Sequence, residues 1–221
     1  LVDKEDVNQG RVRLGHLGYE LGHPDQFELM VGNDILGGGG FTARMMKRIR
    51  SDEGLAYGAY SNISFPVTMP GTFAATFQTK SSTVAYATRL TFDLVKQLRT
   101  APPTAEELQT STTSFIETFP RRFESAAQTV GLFAADELLG RPHAYWLTYR
   151  ESMREVTAQG VQKAMQRNLH PDRMVVLVVG NLEEIEQGHP EHEAELTDFG
   201  TLHRLPLRDP LTLEPLPLSE E

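Results

Sequence analysis

A guanidinium and a phenol stand close together in this chain, at a point where the sequence predicts that a helix ends and a strand begins. Arg50 lies in the segment RIRSDEGLAYGAYSN, residues 48–62, and Tyr57 follows it seven residues later. Arginine keeps its positive charge at pH 7, and tyrosine is then a neutral hydrogen-bond donor. Both groups could donate to one carbonyl oxygen if the helix–strand junction points them into the same space.

The same region concentrates positive charge. Arg44, Lys47, Arg48 and Arg50 fall within seven residues of a chain whose formal net charge is −9. Cations in the last turns of a helix interact with the carbonyl end of its dipole, each contributing roughly 0.3–1 kcal/mol. That effect explains the cations without any function but leaves the hydroxyl of Tyr57 unexplained. An alternative interpretation makes the four cations an anion-binding module.

Four consecutive glycines, Gly37 to Gly40, suggest a phosphate-binding loop at first sight. Such a loop needs a strand before its glycines, and a P-loop also needs a closing Gly-Lys-Ser/Thr. Here a predicted helix precedes the glycines and Phe41-Thr42 follows them. We therefore expect a flexible link between two helices, where backbones approach closely.

The histidines give little support for a metal site in this chain. They are His16, His23, His143, His170, His189, His192 and His203. Only His189 and His192 are close in sequence, and zinc requires further ligands. Pro190 makes a helix start between them doubtful, and no third ligand is evident, so we expect a solvated loop. The chain also lacks a G-x-S-x-G nucleophile elbow.

The hydrophobic pattern predicts an α+β fold: a two-layer sandwich of a mostly antiparallel sheet with helices packed on one side. The predicted strands lie at 9–18, 55–66, 71–80 and 174–179, and the helices at about 24–36, 83–99, 104–118, 122–139, 143–154 and 157–168. A short helix carries Phe41, Met45 and Ile49 on one face and stops at Gly54.

Two further expectations concern the hairpin and the end of the chain. Met69-Pro70-Gly71 is the predicted hairpin turn, and the final strand is expected to be buried. The predicted faces put together Leu55, Tyr57, Ala59, Ile63 and Phe65 in one strand, and Phe73, Ala75 and Phe77 in the next. We expect one half-domain core at 1–185 and a Pro/Glu-rich segment at 186–221 that packs on the core or extends from it.

Composition limits the classes of partner. The 221 residues are 39% hydrophobic and 23% charged, and there are no cysteines. An excess of acidic over basic residues disfavours a nucleic-acid binder or a surface for anionic lipid. No apolar run approaches the roughly 20 residues that cross a bilayer, and no basic-then-apolar leader is present. The compartment stays undecided.

The run ILGGGGFTARMMKRIRSDEGLAYGAYS resembles the segment that marks the C-terminal, non-zinc half-domains of pitrilysin/insulinase-type (inverzincin) zinc metallopeptidases, which include bacterial and mitochondrial processing peptidase subunits. The family's pattern is an apolar helix closing on Leu-Gly-Gly, a short helix, an arginine, a charged triplet and Gly-Leu-Ala-Tyr. Here it becomes Leu36-Gly37-Gly38 and then Arg50 to Tyr57. HPDQFE and VVLVVGN agree in their positions, so the resemblance extends over about residues 7 to 215.

The resemblance implies that catalysis is divided between two units, which enclose a substrate chamber like a clamshell. One unit carries H-x-x-E-H, whose histidines bind zinc and whose glutamate activates water. The other contributes an arginine and a tyrosine that bind the scissile carbonyl and stabilise the oxyanion. These map to Arg50 and Tyr57 as catalytic and substrate-binding residues. H-x-x-E-H is absent here, so the resemblance implies no cofactor in this chain, zinc on a partner unit, and no peptidase activity alone.

The partners implied are a zinc-bearing half-domain, in the same polypeptide or a separate chain, and an unfolded peptide substrate. An isolated half would expose the apolar surface meant for its partner, so a homo-oligomer of the isolated half is a further expected partner state. One alternative is a purely structural assembly partner, as related units are in respiratory core subunits.

Overall fold

The computed structural model describes residues 1–66, 69–142 and 144–216. His143, a histidine candidate and the first residue of the predicted helix 143–154, lies outside these ranges, as do the last five residues of the predicted C-terminal segment. The strands are β1 (Val2–Asp3), β2 (Gln9–Leu17), β3 (Ala56–Ile63), β4 (Thr72–Lys80) and β5 (Val175–Gly180). The α-helices are α1 (Gln26–Asn33), α2 (Val84–Thr100), α3 (Ala105–Thr118), α4 (Ala126–Leu139), α5 (Ala144–Glu155), α6 (Ala158–Asn168) and α7 (Leu182–Gln187).

The five strands form one sheet in the order β1-β5-β2-β4-β3. The pairs β2–β4, β2–β5 and β3–β4 are antiparallel, and the short β1 runs parallel to β5. Residues that alternate along β2 and β4 are buried under the helices, among them Val12, Leu14, Ala75 and Phe77. The predicted α+β class, the one-sided packing and the β3–β4 hairpin are confirmed. The two-residue β1 is too short to leave a pattern in the sequence.

Strand β5 is half-exposed, and the prediction of a buried strand was wrong. Val178 is inaccessible to solvent, but Val175 is 74% exposed and Leu177 is 40% exposed. Leu177 pairs with the exposed Arg13 of β2. These side chains lie on the sheet face opposite the helices, which we call the open face.

Polar caps set the helix starts. The side chain of Thr104 accepts a hydrogen bond from the backbone N–H of Glu107, whose carboxylate accepts one from the N–H of Thr104, which is the predicted capping box. Helix α4 begins at Ala126 rather than near 122, because Ser125 forms the same type of box with Gln128. Residues Phe119–Phe123 form a separate 3-10 turn.

The C-terminal segment lies against the core over part of its length. Ala194 and Leu196 are buried, and the ring of Phe199 stacks on Phe92 of α2 at 5.1 Å between centroids. Helix α7 spans residues 182 to 187 and so crosses the predicted boundary at 185, and the division into 1–185 and 186–221 stays a prediction. Within the described ranges, no helix combines the length and apolar character that crossing a bilayer requires.

Candidate functional site

Arg50 lies in a π-helical segment, Met46–Asp52, that leads directly into β3. Its C-terminal end is closed by backbone hydrogen bonds from the N–H of Gly54 to the oxygen of Arg50 (3.1 Å) and from the N–H of Leu55 to the oxygen of Ile49 (2.9 Å). Gly54 has φ +64°, a left-handed conformation that glycine adopts without strain. The predicted stop at Gly54 is therefore confirmed, and it turns the chain into the strand within three residues.

Phe41 does not share the buried face of this helix, as the spacing of four had predicted. Met45 and Ile49 are inaccessible to solvent, whereas Phe41 is 72% exposed. The reason is local: Gly40–Thr42 form a separate 3-10 turn, and Ala43 after it is extended. The helix starts only after that break, which directs the Phe41 ring to solvent beside Arg50.

A β-bulge places Tyr57. Ala56 pairs with Thr79 and Ala59 with Phe77, so three steps along β3 match two along β4. Ala56 and Ala59 are both buried, while Tyr57 between them is 87% exposed. The prediction that Tyr57 shares a face with Ala59 and Ile63 was wrong, because strict alternation does not allow for an inserted residue. Beyond the bulge, the N–H of Ala59 donates to the sulfur of Met46 at 3.3 Å.

The outer edge of β3 is held by the end of helix α1 and the π-helical residues Asp34–Gly38 that continue it. The Ser61 hydroxyl donates to Oδ1 of Asn33 at 2.9 Å, and the Asn33 amide donates to the oxygen of Ser61. A Cβ at Gly37 would lie 2.4 Å from the backbone nitrogen of Ser61. The glycines therefore do allow a close backbone approach, to β3, and this contact covers an otherwise open sheet edge.

Arg50 and Tyr57 are in contact. The guanidinium carbon Cζ of Arg50 lies 4.9 Å from the centre of the Tyr57 ring and 4.6 Å from that of Phe41. Cation–π contacts of this kind orient an arginine without neutralising its charge. Among the described residues, no carboxylate forms an ion pair with Arg50. The arrangement presents a positive charge and a phenol side by side at the surface.

Two of the neighbouring cations are already paired. Arg44 donates to both carboxylate oxygens of Glu107, at 2.7 and 2.8 Å, and these hydrogen bonds lower the pKa of Glu107 to about 2. Arg48 contacts Glu53 at 2.8 Å. Lys47 is exposed on another side of the helix, beside Asp34 and Glu107. A four-cation anion site is therefore disfavoured, because carboxylates occupy two of its members.

Neither the Arg50–Tyr57 pair nor the histidines fit a zinc ion. A guanidinium and a phenol with no carboxylate or imidazole beside them are not a zinc donor set. The His189 and His192 rings lie 4.8 Å apart, and His192 stacks on Tyr86 at 3.8 Å. Across the described residues, no group of three or more His, Cys, Asp or Glu could hold a metal.

Comparison with known proteins gives this fold a family. The sequence-family model described as the peptidase M16 inactive domain matches residues 1–114, which are more than half of the chain. The chain belongs to the peptidase M16 inactive-domain family. The pitrilysin/insulinase-type resemblance of its sequence is thereby confirmed, and the matched range contains both Arg50 and Tyr57.

Solved structures agree with the assignment. The peptidase M16 inactive domain from Pseudomonas fluorescens superposes with a TM-score of 0.75 and 28% identity, over 81% of this chain and 42% of that one. A protease from Helicobacter pylori shows the same fold with a TM-score of 0.72 and 19% identity, over 81% and 43%. An uncharacterized zinc protease of Bacillus subtilis, YmxG, is 39% identical over 61 residues, which are 28% of this chain and 15% of that protein. This M16 inactive domain thus spans less than half the length of each of these relatives.

Two residues of the site were missed from the sequence. Met46 was not singled out, although its sulfur accepts a hydrogen bond from the backbone N–H of Ala59. Phe41 was assigned to the core and not to Arg50. The break that separates Phe41 from the helix lies at Ala43, where the sequence carries no helix-stop signal.

Proposed function

We propose that this M16 inactive domain is the non-zinc half of a zinc metallopeptidase, in which Arg50 and Tyr57 bind and polarise the scissile carbonyl of an unfolded peptide. Zinc and its general base belong, in this proposal, to a separate H-x-x-E-H unit, and this chain alone is inert. The observation that carries the proposal is the Arg50 guanidinium, which has no carboxylate partner among the described residues and lies against Phe41 and the exposed ring of Tyr57.

The chemistry follows from the donors. As a peptide carbonyl becomes tetrahedral, its oxygen gains negative charge, which a fixed guanidinium and a phenolic O–H can both stabilise. An arginine already paired with a carboxylate would have to break that pair first, whereas Arg50 has no such pair within the described part of the chain. Tyr57 is 87% exposed in this chain, so the site depends on an opposing unit to exclude water and strengthen both interactions.

An apolar surface offers a place for that unit. Helix α4 exposes Val130, Phe133 and Leu138, at 68%, 42% and 85%, and α5 exposes Leu147 at 86%. Exposed apolar side chains on consecutive helices are typical of interaction surfaces. This surface supports pairing with a zinc-bearing half-domain, or self-association when that half is missing.

Reconstitution tests the proposal. This chain is mixed with an H-x-x-E-H half-domain, and cleavage of an unstructured fluorogenic peptide is measured with and without a chelator. We expect activity only in the mixture, lost with chelator and strongly reduced by Arg50→Ala. A complex that forms but cleaves equally well with Arg50→Ala would leave this chain a structural assembly partner and overturn the catalytic role.

A further inference from the structure

A pocket separate from the Arg50 site lies between helices α4 and α5, at the end of β3 that is far from Tyr57. It has a volume of about 380 Å³, within the lower range of small-molecule sites. Ile63 and Phe65 form one wall, Leu132 and Leu139 of α4 another, and Tyr145, Trp146 and Tyr149 of α5 the third. Ile63 is six residues from Tyr57 along an extended strand, roughly 20 Å, so the pocket is separate from the Arg50 site.

Two buried hydrogen-bond donors in this pocket have no acceptor among the described residues. Tyr149 is 1% exposed, and its hydroxyl finds no acceptor among the described residues. Burial raises the pKa of Tyr149 against the charge and hydrogen bond of Arg122, which lower it, so its hydroxyl stays a protonated donor at neutral pH. The buried Nε–H of Arg141 also lacks a partner within the described chain. Such unsatisfied donors are costly and call for a ligand that accepts hydrogen bonds.

The pocket also carries an excess positive charge. Its carboxylate, Asp136, is 1% exposed and accepts hydrogen bonds from Arg141 (2.7 Å) and from the indole N–H of Trp146. Arg122 lies over the rings of Trp146 and Tyr149, at 5.7 and 5.6 Å, and forms no ion pair with a described carboxylate. Two guanidinium groups against one carboxylate leave one net positive charge among aromatic walls.

We propose that the α4–α5 pocket binds a carboxylate that carries an aromatic or bulky apolar group, through Arg122, Arg141 and Tyr149. The ligand's carboxylate would accept from the free donors, and its apolar body would pack against Trp146 and the α4 leucines. A free aromatic acid and the C-terminal residue of a peptide share this chemistry. The remaining polar groups, Gln26 and the Tyr145 hydroxyl, are hydrogen-bonded to each other at 3.2 Å.

The sole tryptophan of the sequence provides the measurement, because Trp146 lines the pocket. This chain is titrated with 3-phenylpropionate and with its neutral amide, followed by tryptophan emission and by calorimetry. We expect saturable binding of the acid and at least about tenfold weaker binding of the amide, since the charge-assisted hydrogen bonds are lost. Equal binding of acid and amide, or no binding of the acid by either method, overturns the proposal.

Variants locate the site. Arg122→Gln and Tyr149→Phe should each weaken the acid about fivefold to tenfold, whereas Arg121→Gln, on the same 3-10 turn but not lining the pocket, should not. Unchanged affinity in Arg122→Gln overturns the assignment. N-acetyl-Ala-Ala-Phe distinguishes the two sources: tighter binding than 3-phenylpropionate identifies a peptide C-terminus, and weaker binding a free acid. No zinc-bearing half is present, so the result is independent of the reconstitution.

Discussion

The guanidinium of Arg50 faces the ring of Tyr57 at 4.9 Å, across the junction between a π-helical segment and the edge strand of the sheet. Two backbone devices produce this contact: the left-handed Gly54, which reverses the chain, and the bulge that turns Tyr57 to solvent. Neither side chain belongs to the buried core, because Tyr57 is exposed and the Arg50 guanidinium forms no ion pair among the described residues. Their chemistry can therefore be removed without unfolding the domain.

Removing either donor should slow catalysis by the assembled enzyme. Arg50→Ala and Tyr57→Phe are each expected to lower kcat by about 10²–10³, the usual effect of losing an oxyanion donor. The free energy of unfolding of the isolated chain should change by less than about 0.5 kcal/mol in Tyr57→Phe, as for most surface substitutions. Peptide hydrolysis at saturating substrate and urea unfolding measure the two quantities.

Matched controls lie next to each residue. Lys47→Ala removes an exposed cation from the same helix, and Tyr60→Phe removes a hydroxyl from the same strand. Both variants should retain kcat within about threefold, because each removes a charge or a hydroxyl group near the site but leaves Arg50 and Tyr57 unchanged. Similar losses in the controls and in the Arg50 and Tyr57 variants would contradict a specific role.

Gly37 should tolerate no side chain. An added Cβ would lie 2.4 Å from the nitrogen and 2.6 Å from the hydroxyl of Ser61, so β3 would have to move. We expect Gly37→Ala to reduce the free energy of unfolding by about 1–3 kcal/mol, as overpacking does. Gly131→Ala in α4 is the control: nothing lies within 4 Å, and the change should stabilise the helix by about 0.5–1 kcal/mol. Urea denaturation of both variants is the measurement, and equal effects would contradict the close contact.

The Arg44–Glu107 pair should make the free energy of unfolding depend on pH in the acidic range. The pKa of Glu107 is lowered from 4.5 to about 2 in the folded chain, first by the hydrogen bonds from Arg44. A carboxyl group whose folded pKa is depressed stabilises the fold above its unfolded pKa. That contribution should disappear as the pH falls from 4.5 to about 2. Comparing denaturation of wild type and Glu107→Gln across this range measures it.

Glutamine at 107 keeps a capping-box side chain, so the comparison isolates the charge. Glu106→Gln, one residue earlier in the same first turn and exposed, is the matched control. The Glu107→Gln variant should lose its difference from wild type at low pH, and Glu106→Gln should show little difference throughout. A Glu107→Gln deficit that is the same at every pH would contradict the linkage.

His16 should make the domain less stable as the pH drops below neutrality. Its Nδ1–H donates to the oxygen of Leu17 at 2.8 Å, and Nε2 accepts from the N–H of His170 at 3.2 Å. Burial lowers the pKa of His16 below 6.5, with His170 and Arg173 acting in the same direction and the Leu17 carbonyl and Asp172 against it. If Nε2 were protonated, it would be a donor facing the N–H of His170, and the hydrogen bond between them would be lost. Because the pKa of His16 is lower in the folded chain than its ordinary value of 6.5, its contribution to the free energy of unfolding is complete above pH 6.5. The contribution decreases as the pH falls from 6.5 toward the folded pKa.

Urea unfolding at pH 8, 7, 6 and 5 tests this sign. Wild type should lose stability over this series by more than His16→Gln, which cannot titrate. His203→Gln, at an exposed position, serves as the control and should follow wild type. Identical pH slopes for wild type and His16→Gln would show that His16 does not contribute.

Local signals in the sequence were sufficient where a single residue decides the backbone. Gly54 predicted the helix stop, and Thr104 with Glu107 predicted the start of α3. In both cases the chemistry is contained within a few adjacent residues: a left-handed φ, or a side chain that caps an N–H. The period-2 pattern predicted the β3–β4 pairing, while the turn at Met69-Pro70-Gly71 stays a prediction. These features can be read without knowing what packs against them.

The misses share a different cause, because each depends on a distant partner. Both Ala56 and Ala59 are compatible with burial, so the bulge between them is visible only in the pairing with β4. The run in β5 is apolar throughout, yet Val175 and Leu177 on one of its faces are exposed. At the site, spacing and resemblance gave Arg50 and Tyr57, but Phe41 and Met46 required coordinates.

The extra residue in the bulge determines the direction in which the Tyr57 side chain leaves β3. Tyr57 and Gly58 together stand opposite the single Gln78, while Ala59 and Ile63 beyond them keep their partners in β4. A chain shortened by one residue here could keep its hydrophobic register and fold as before, with the phenol leaving the strand in another direction. Deleting one codon here would then leave the fold intact and remove only the proposed contact of the Tyr57 phenol with the substrate.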